Sequence, residues 1–365
     1  MEKKEVFKII DNETHKHIVS ENFHHSFDKK TGFAITYGKT KEEDPTHCPV
    51  GPLIADIEIT TICNGIRNNE GVRAPCQFCY KSNGPAGINM SFETYKTVFS
   101  KLPKTLTQIA FGADAQAESN PDLLKIMEYT RENGVIPNIT VADISDEMLD
   151  KLSKVVGAVA ISHYPFRDKN ICYNLVDKFV KAGIKQTNIH QLVAKETFGS
   201  ILQLFEDCKE DPRLKGLNAI VLLSLKPKGR GVGYTKLDEA DFKIIVNKAF
   251  ELGISIGFDS CSCLKFLKSV AGDPKLKQYE MMAEPCESGL FSIYINAEGK
   301  VFPCSFTEGE ILENNDWTDG IDITKVDNFI QDVWYSSLLK TWRKRLIDTA
   351  KNNTCNCREC PKYNV

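Results

Sequence analysis

Residues 55–63, Ala-Asp-Ile-Glu-Ile-Thr-Thr-Ile-Cys, place a short apolar, β-branched run directly before a cysteine. After a polar loop the chain continues with Cys76-Gln-Phe-Cys-Tyr80, so three cysteines follow one predicted strand. In a parallel α/β barrel the reactive groups lie at the C-terminal ends of the strands. This stretch therefore predicts a barrel strand and a reactive centre at its end.

The same pattern continues downstream, where short apolar runs alternate with longer amphipathic stretches, as is typical of βα units around a parallel sheet. Predicted strands cover Ala55–Thr61, Gln108–Gly112, Pro137–Ala142, Ala158–His163, Gln186–Val193 and Ala219–Leu225. Predicted helices cover Ser91–Lys101, Pro121–Asn133, Asp146–Lys154, Asn170–Ala182, Thr197–Lys209 and Leu237–Leu252. We therefore expect an α/β fold of the partial (β/α)6, TIM-like barrel type.

The alternation of short apolar runs with amphipathic stretches ends near residue 260. A seventh apolar run, Ile254–Asp259, leads into Cys261-Ser-Cys263. A two-stranded unit of Phe291–Ile295 and Lys300–Pro303 then precedes a helix near Val333–Thr349. We predict an N-terminal lead-in over 1–54, a core barrel over 55–260 and a small cysteine-rich domain over 261–365.

Composition and net charge exclude several classes of protein and partner. The 365 residues are 42% hydrophobic and 26% charged, which excludes a disordered chain, and the formal charge of −3 gives no global basic field. We therefore expect neither a nucleic acid nor a membrane as partner. The first residues lack the apolar stretch of a secretory signal, so we expect a cytoplasmic protein. In that reducing compartment the thirteen cysteines indicate metal or cluster ligands rather than disulfides.

Two groups of cysteines are candidate metal sites. Cys63, Cys76 and Cys79 are one ligand short of a tetrahedral zinc or a four-iron cluster, and an open coordination position is typical of reactive centres. A zinc knuckle or unrelated buried cysteines are the alternatives here. In the second group a Gly299 turn brings Cys286 and Cys304 together, and a late cluster, Cys355-Asn-Cys357-Arg-Glu-Cys360, follows. A four-cysteine structural zinc site is the alternative for this group.

The first group resembles the radical S-adenosylmethionine (radical SAM) family. Its motif, Cys-x3-Cys-x-aromatic-Cys, is matched in its second half by Cys76, Phe78 and Cys79, while Cys63 follows the strand as its first cysteine. The departure is that twelve residues separate Cys63 from Cys76. Because the cost of closing a loop grows only logarithmically with its length, this polar insertion still allows the three cysteines to meet.

This resemblance implies a 4Fe-4S cluster on the three cysteines, with S-adenosylmethionine (SAM) chelating its open iron. Phe78 then contacts the cofactor. The segment with Gly112, Asp114 and Gln116 stands where the family carries Gly-Gly-Glu-Pro, which contacts the amino group of SAM. A polar strand-to-helix loop is the alternative for Asp114 and Gln116.

The second group resembles the SPASM or twitch auxiliary domain that follows the barrel in many radical SAM enzymes. The shorter twitch form, with one further 4Fe-4S cluster, fits the number of late cysteines better. Its expected ligands are Cys261, Cys286, Cys304 and one of Cys357 or Cys360.

Family members with such a domain frequently modify peptides or proteins, so the resemblance implies a peptide maturase with a reductant such as flavodoxin or ferredoxin. A small-molecule or nucleotide substrate is the enzymatic alternative, and a zinc-stabilised binding module is the alternative of another class.

Three more residues are candidate contacts to SAM or substrate, namely Ser162, Asn188 and Arg230. Arg230 belongs to Lys226-Pro-Lys-Gly-Arg-Gly231, which follows the sixth strand and is suited to hold a carboxylate or phosphate; a solvated basic loop is the alternative. His163 and His190 also lie on predicted strands, and we interpret both as core histidines.

Overall fold

The computed structural model describes residues 6–40, 43–68, 70–112, 118–351 and 357–363. Two predicted cofactor contacts, Asp114 and Gln116, lie outside the described residues.

Residues 1–54, which the sequence suggested only as a polar lead-in, contain an antiparallel sheet. Its consecutive strands are β1 (Lys8–Asp11), β2 (His15–Val19), β3 (His24–Asp28) and β4 (Ala34–Tyr37). Burial alternates along β2 and β3, so that Ile18 and Phe27 face inward. The Lys16 Nζ atom donates to the Leu106 carbonyl oxygen at 2.7 Å, which attaches this sheet to the rest of the chain.

The strands that follow this N-terminal sheet include those that form one large sheet. They are β5 (Ile54–Glu58), β6 (Ile66–Arg67), β7 (Arg73–Ala74), β8 (Gln108–Gly112), β9 (Ile136–Val141), β10 (Ala158–His163), β11 (Gln186–Val193), β12 (Ala219–Ser224), β13 (Ile256–Phe258), β14 (Ser292–Ile295), β15 (Lys300–Phe302), β16 (Ile311–Leu312), β17 (Asn315–Asp316) and β18 (Ile321–Asp322). The described helices are α1 (Phe92–Lys101), α2 (Leu123–Glu132), α3 (Asp146–Leu152), α4 (Lys169–Lys181), α5 (Phe198–Glu210), α6 (Glu239–Leu252), α7 (Cys263–Ser269), α8 (Leu276–Met282) and α9 (Ser337–Ala350). Each of them is too short or too polar to span a lipid bilayer.

The large sheet has the strand order β13-β12-β11-β10-β9-β8-β5-β14-β15-β18. From β13 to β14 every neighbouring pair is parallel, whereas β15 and β18 add antiparallel partners. The predicted α/β fold class is therefore confirmed. The register of β14 on β5 pairs Ser292 with Ile54, so the strand that follows Cys286 extends the same sheet as the strand that precedes Cys63.

Strand alternation separates two environments at β5. Ala55 and Ile57 are fully buried in the core formed with the helices, whereas Asp56 and Glu58 point to the opposite, inner face. Local capping chemistry fixes where the helices begin and end. Asp238 caps α6 by accepting from the Asp241 amide, and Gly253 ends that helix with φ of +66°.

A buried phenylalanine of α5 tests the helix-packed core. Phe205 has no exposed surface, and we expect Phe205→Ala to lower the free energy of unfolding by about 3–5 kcal/mol, because it leaves a cavity. Phe33→Ala is the matched control, since its ring is 65% exposed, and should change that free energy by less than about 0.5 kcal/mol. Urea denaturation followed by circular dichroism measures both. Equal losses in the two variants would contradict this packing.

Candidate functional site

The first cysteine group lies just beyond the end of β5. The Cys63 amide donates to the Gly84 carbonyl at 2.8 Å, and the Cys79 amide donates to the Cys76 carbonyl at 3.2 Å. The Cys76 thiol interacts electrostatically with both Cys63 and Cys79, so the three predicted cluster ligands lie together. Burial is the main reason that the pKa of the Cys76 thiol is raised to about 11.

The long segment between Cys63 and Cys76 contains a small β-hairpin. Strands β6 and β7 pair antiparallel, Ile66 with Ala74, so the insertion leaves and returns at nearly the same place. Gly65 has φ of +77°, and a Cβ there would meet the Ala74 carbonyl oxygen at 2.3 Å. A glycine is therefore required at the base of the hairpin. The insertion is looped out, and the cysteines on either side of it still meet.

Aromatic rings surround Phe78, the aromatic residue of the motif. The ring centroids of Tyr164, Phe166 and Tyr234 lie 5.5, 5.9 and 5.7 Å from that of Phe78. The Tyr164 hydroxyl is hydrogen-bonded to the Cys76 thiol. Sequence reasoning missed these three residues, although Tyr164 and Phe166 directly follow the correctly predicted strand β10.

Arg230 holds the backbone of the cysteine loop. Its Nε donates to the Cys76 carbonyl at 2.8 Å, its Nη2 donates to the Asn83 carbonyl at 3.2 Å, and its amide donates to the Cys79 carbonyl at 3.0 Å. The neighbouring Gly229 has φ of +56°, and a Cβ there would meet the carbonyl oxygen of Tyr80 at 2.4 Å. The basic loop after β12 is thus packed on the cysteine loop, and these nitrogen atoms of Arg230 donate to backbone carbonyls of the protein itself.

The other predicted contacts to SAM or substrate lie at different places on the sheet. Gly112 ends β8, and its carbonyl accepts from the Ile59 amide at 3.0 Å. Ser162 is hydrogen-bonded through its side chain to Tyr164, beside the cysteines. Asn188 instead lies in the first half of β11, where its side-chain oxygen accepts from Asn218 at 2.8 Å. The structure therefore brings Ser162 to the cysteine edge of the sheet and leaves Asn188 near the other end.

In the second group the thiols of Cys261 and Cys286 are hydrogen-bonded. Cys304 and Cys360 both interact electrostatically with Cys261. Burial raises the pKa of the Cys304 thiol to about 12 and also raises that of Cys360. These four thiols come from widely separated parts of the chain.

Arg358 contacts a further set of thiols. Its Nε donates to the Cys286 carbonyl at 2.7 Å, and its guanidinium interacts electrostatically with Cys286, Cys263 and Cys357. Of the two alternatives for the fourth ligand, Cys360 is therefore the one grouped with Cys261 and Cys304. Cys263, which was not chosen from the sequence, interacts with Arg358, as Cys357 does.

The donor chemistry of both groups fits iron–sulfur clusters, since three and four thiols converge. Across the described ranges, no three His, Cys, Asp or Glu side chains are arranged to hold a single metal ion.

The two cysteine segments touch each other. The rings of Tyr80 and Phe306 lie 4.3 Å apart, and the Tyr80 hydroxyl donates to Ser305 Oγ at 3.1 Å. Tyr80 directly follows Cys79, and Ser305 directly follows Cys304. No sequence pattern indicates this contact, because each residue is only a polar or aromatic neighbour of a cysteine.

A partly buried ionic network lies beside this contact. Lys81 is paired with Glu58 at 3.1 Å and with Glu308, and its Nζ donates to the Tyr294 hydroxyl at 2.8 Å. That hydroxyl in turn donates to Glu58 at 2.8 Å. The network therefore joins β5, the cysteine loop, β14 and the segment after Cys304.

Comparison with known proteins identifies the C-terminal region. Residues 286–361 match the family model of SPASM, described as an iron-sulfur cluster-binding domain. This region is therefore similar to SPASM domains. The resemblance of the second cysteine group to this domain, and the iron–sulfur cofactor expected there, are thereby confirmed. No curated protein sequence matches the chain.

Solved structures share the fold of the whole chain. The crystal structure of Streptococcus suis SuiB is similar with a TM-score of 0.56 and 17% identity, over 81% of this chain and 68% of that one. SuiB bound to its precursor peptide SuiA gives a TM-score of 0.58 and 17% identity, over 80% and 67%. Histidine-tagged anSMEcpe with bound AdoMet gives 0.55 and 14%, over 84% and 88%. The fold of this chain is thus shared with these proteins.

Arg230→Gln tests whether the arginine holds the cysteine loop. Because the substitution removes the guanidinium bonds to two backbone carbonyls, we expect the loop to loosen and Cys76 to be alkylated several-fold faster in the cluster-free protein. Iodoacetamide labelling read by mass spectrometry measures the rate. Arg345→Gln is the matched control, because Arg345 is another arginine that donates to a backbone carbonyl, that of Glu313. Unchanged labelling of Cys76 in Arg230→Gln would show that the loop is held without the arginine.

Proposed function

We propose that this protein is a radical SAM enzyme that cleaves SAM reductively and abstracts hydrogen from a peptide or protein. The observation that carries the proposal is the convergence of Cys63, Cys76 and Cys79 beyond the first strand of a parallel α/β sheet. Three thiols leave one iron of a four-iron cluster without a protein ligand, and that position is where SAM would bind.

The cluster with SAM would supply a 5′-deoxyadenosyl radical, which abstracts the hydrogen, and the chain's own residues hold and enclose the reactants. Cys63, Cys76 and Cys79 would hold the cluster, and Arg230 fixes the loop that carries two of them. The rings around Phe78 would cover one side of the site and limit access of water. Asp114 and Gln116 remain the expected contacts to the amino group of SAM.

The inner face of the sheet is suited to a polar substrate. The Asp56 side chain points there and is exposed. Tyr294 lies beside it, because β14 pairs Tyr294 with Asp56. A substrate group that enters from the cysteine edge would meet Asp56, with Tyr294 buried next to it.

Two observations favour a peptide among the possible substrates. One is the SPASM domain, and the other is the likeness in fold to SuiB, which has been solved bound to a precursor peptide. Flavodoxin or ferredoxin is the proposed reductant. The binding module stabilised by zinc differs from the enzyme in metal content, so the experiment below separates them.

Metal analysis of anaerobically purified protein tests the cofactors. We expect about eight irons with matching acid-labile sulfide per chain, for two four-iron clusters, and 5′-deoxyadenosine when SAM and dithionite are added. Inductively coupled plasma mass spectrometry and liquid chromatography measure these quantities. Zinc in stoichiometric amount without sulfide would overturn the enzyme proposal and favour the binding module.

Cys63→Ala tests the looped-out first spacing. We expect this variant to lose 5′-deoxyadenosine formation and about four irons, while the SPASM iron remains, because only the first cluster depends on Cys63. Cys208→Ala is the matched control, since this cysteine lies in α5, outside both groups, and it should retain all iron and activity. Cleavage of SAM by Cys63→Ala would show that another residue is the first ligand.

A further inference from the structure

A basic groove lies along the outer face of α9. The cavity has a volume of about 450 Å³, and its lining includes His47, Tyr335 and four basic residues of the helix and its end: Lys340, Arg343, Lys344 and Lys351. Leu339, Trp342 and Leu346 of the same helix are buried against the protein, so the lysines project outward. The groove thus lies between α9 and the segment that contains His47.

Arg343 forms the floor of the groove and is only 6% exposed. Its guanidinium lies over the Trp334 ring at 4.1 Å, and its Nε donates to the Gly289 carbonyl. The Nη2 atom is buried and has no hydrogen-bond partner. In the part of the chain that the structure describes, no carboxylate lies within 4.0 Å of this guanidinium. Burial lowers the pKa of Arg343 to about 10, which reflects the cost of an uncompensated buried cation.

The charge around Arg343 is also unbalanced. Lys340 and Lys344 are exposed, and neither forms an ion pair with a described residue. The one acid of the lining, Asp348, is paired with Lys351 at 2.6 Å. A ligand with negative charge would therefore supply the partners that the chain itself does not provide.

The length of the groove indicates what kind of anion fits. Lys340, Lys344 and Lys351 follow one face of the helix over about eleven residues, which is about 16 Å. A single phosphate or carboxylate would reach only one turn of it. An extended peptide advances about 3.3 Å per residue, so about five residues would cover the three lysines and the buried arginine between them.

We propose that the groove on α9 binds an acidic segment, rich in aspartate and glutamate, of the peptide substrate. Carboxylates would pair with Lys340 and Lys344 at the rim, and one would lie over the buried Arg343 cation, where its charge offsets that of the guanidinium. This inference rests on the proposed peptide substrate, and it places recognition of that substrate at α9.

A labelled hexaglutamate peptide tests the proposal directly. Fluorescence anisotropy with the cluster-loaded, full-length protein measures its binding without SAM or reductant. We expect saturable binding that weakens as salt is added, and a Kd about tenfold higher in the double variant Lys340→Gln/Lys344→Gln. The matched control Lys154→Gln/Lys185→Gln removes the same charge from exposed lysines of the barrel, so it should bind as the unaltered protein does.

Three results would overturn the proposal. They are an absence of saturable binding, equal weakening in the two double variants, and displacement of the peptide by inorganic phosphate at the same carboxylate-equivalent concentration, which would indicate a small-anion site. Arg343→Met should weaken binding further, and the surface double variant keeps the test valid if this buried substitution prevents folding. Because SAM cleavage is assayed separately, its loss with intact peptide binding would count against the enzyme proposal and leave the groove unaffected.

Discussion

One cation links the two halves of the molecule. Lys81 follows the first cysteine group by two residues and lies between the carboxylates of Glu58 and Glu308, one on the first barrel strand and the other in the SPASM domain. Glu58 is buried and the other two side chains are partly buried, so solvent ions screen these pairs less than they screen exposed pairs. The position of the cysteine loop and the seating of the SPASM domain on the sheet are therefore coupled, and neither segment can shift without breaking this network.

The contact between Tyr80 and Phe306 has the same consequence for the two cysteine groups. Arg230 fixes one side of that contact through the cysteine loop, and Lys228 of the same basic loop donates to the Phe306 carbonyl at 3.0 Å. The loop after β12 thus holds segments of both groups at once. The basic residues of this loop are of the kind that can bind an anionic ligand. Here Lys228 and Arg230 instead donate to backbone carbonyls of the two cysteine segments, so the loop has a structural role.

The barrel and the cysteines could be predicted from the sequence, whereas the N-terminal sheet and the residues that position the cysteines could not. Strand β12 carries an unbroken apolar run, Ala-Ile-Val-Leu-Leu, which is typical of a buried parallel strand. In β2, by contrast, polar residues hide the alternation that buries Ile18. Cysteines stand out because no other standard residue supplies a thiolate. Arg230 and Cys76, however, are 154 residues apart. The hydrophobic periodicity of a sequence does not show which distant carbonyl a side chain will contact.

The hairpin between Cys63 and Cys76 shows why spacing is a weak measure of ligand separation. What the site requires is that the chain leave and return at fixed points, and the pairing of Ile66 with Ala74 meets that requirement whatever the loop contains. The constraint falls on the base of the hairpin, where Gly65 lies against the Ala74 carbonyl and admits no Cβ. The residues at the tip are free to vary in number, because each added residue costs little loop entropy once the base is closed. A ligand motif with a long insertion is thus better judged by whether a glycine or paired strands close the loop than by the number of residues in it.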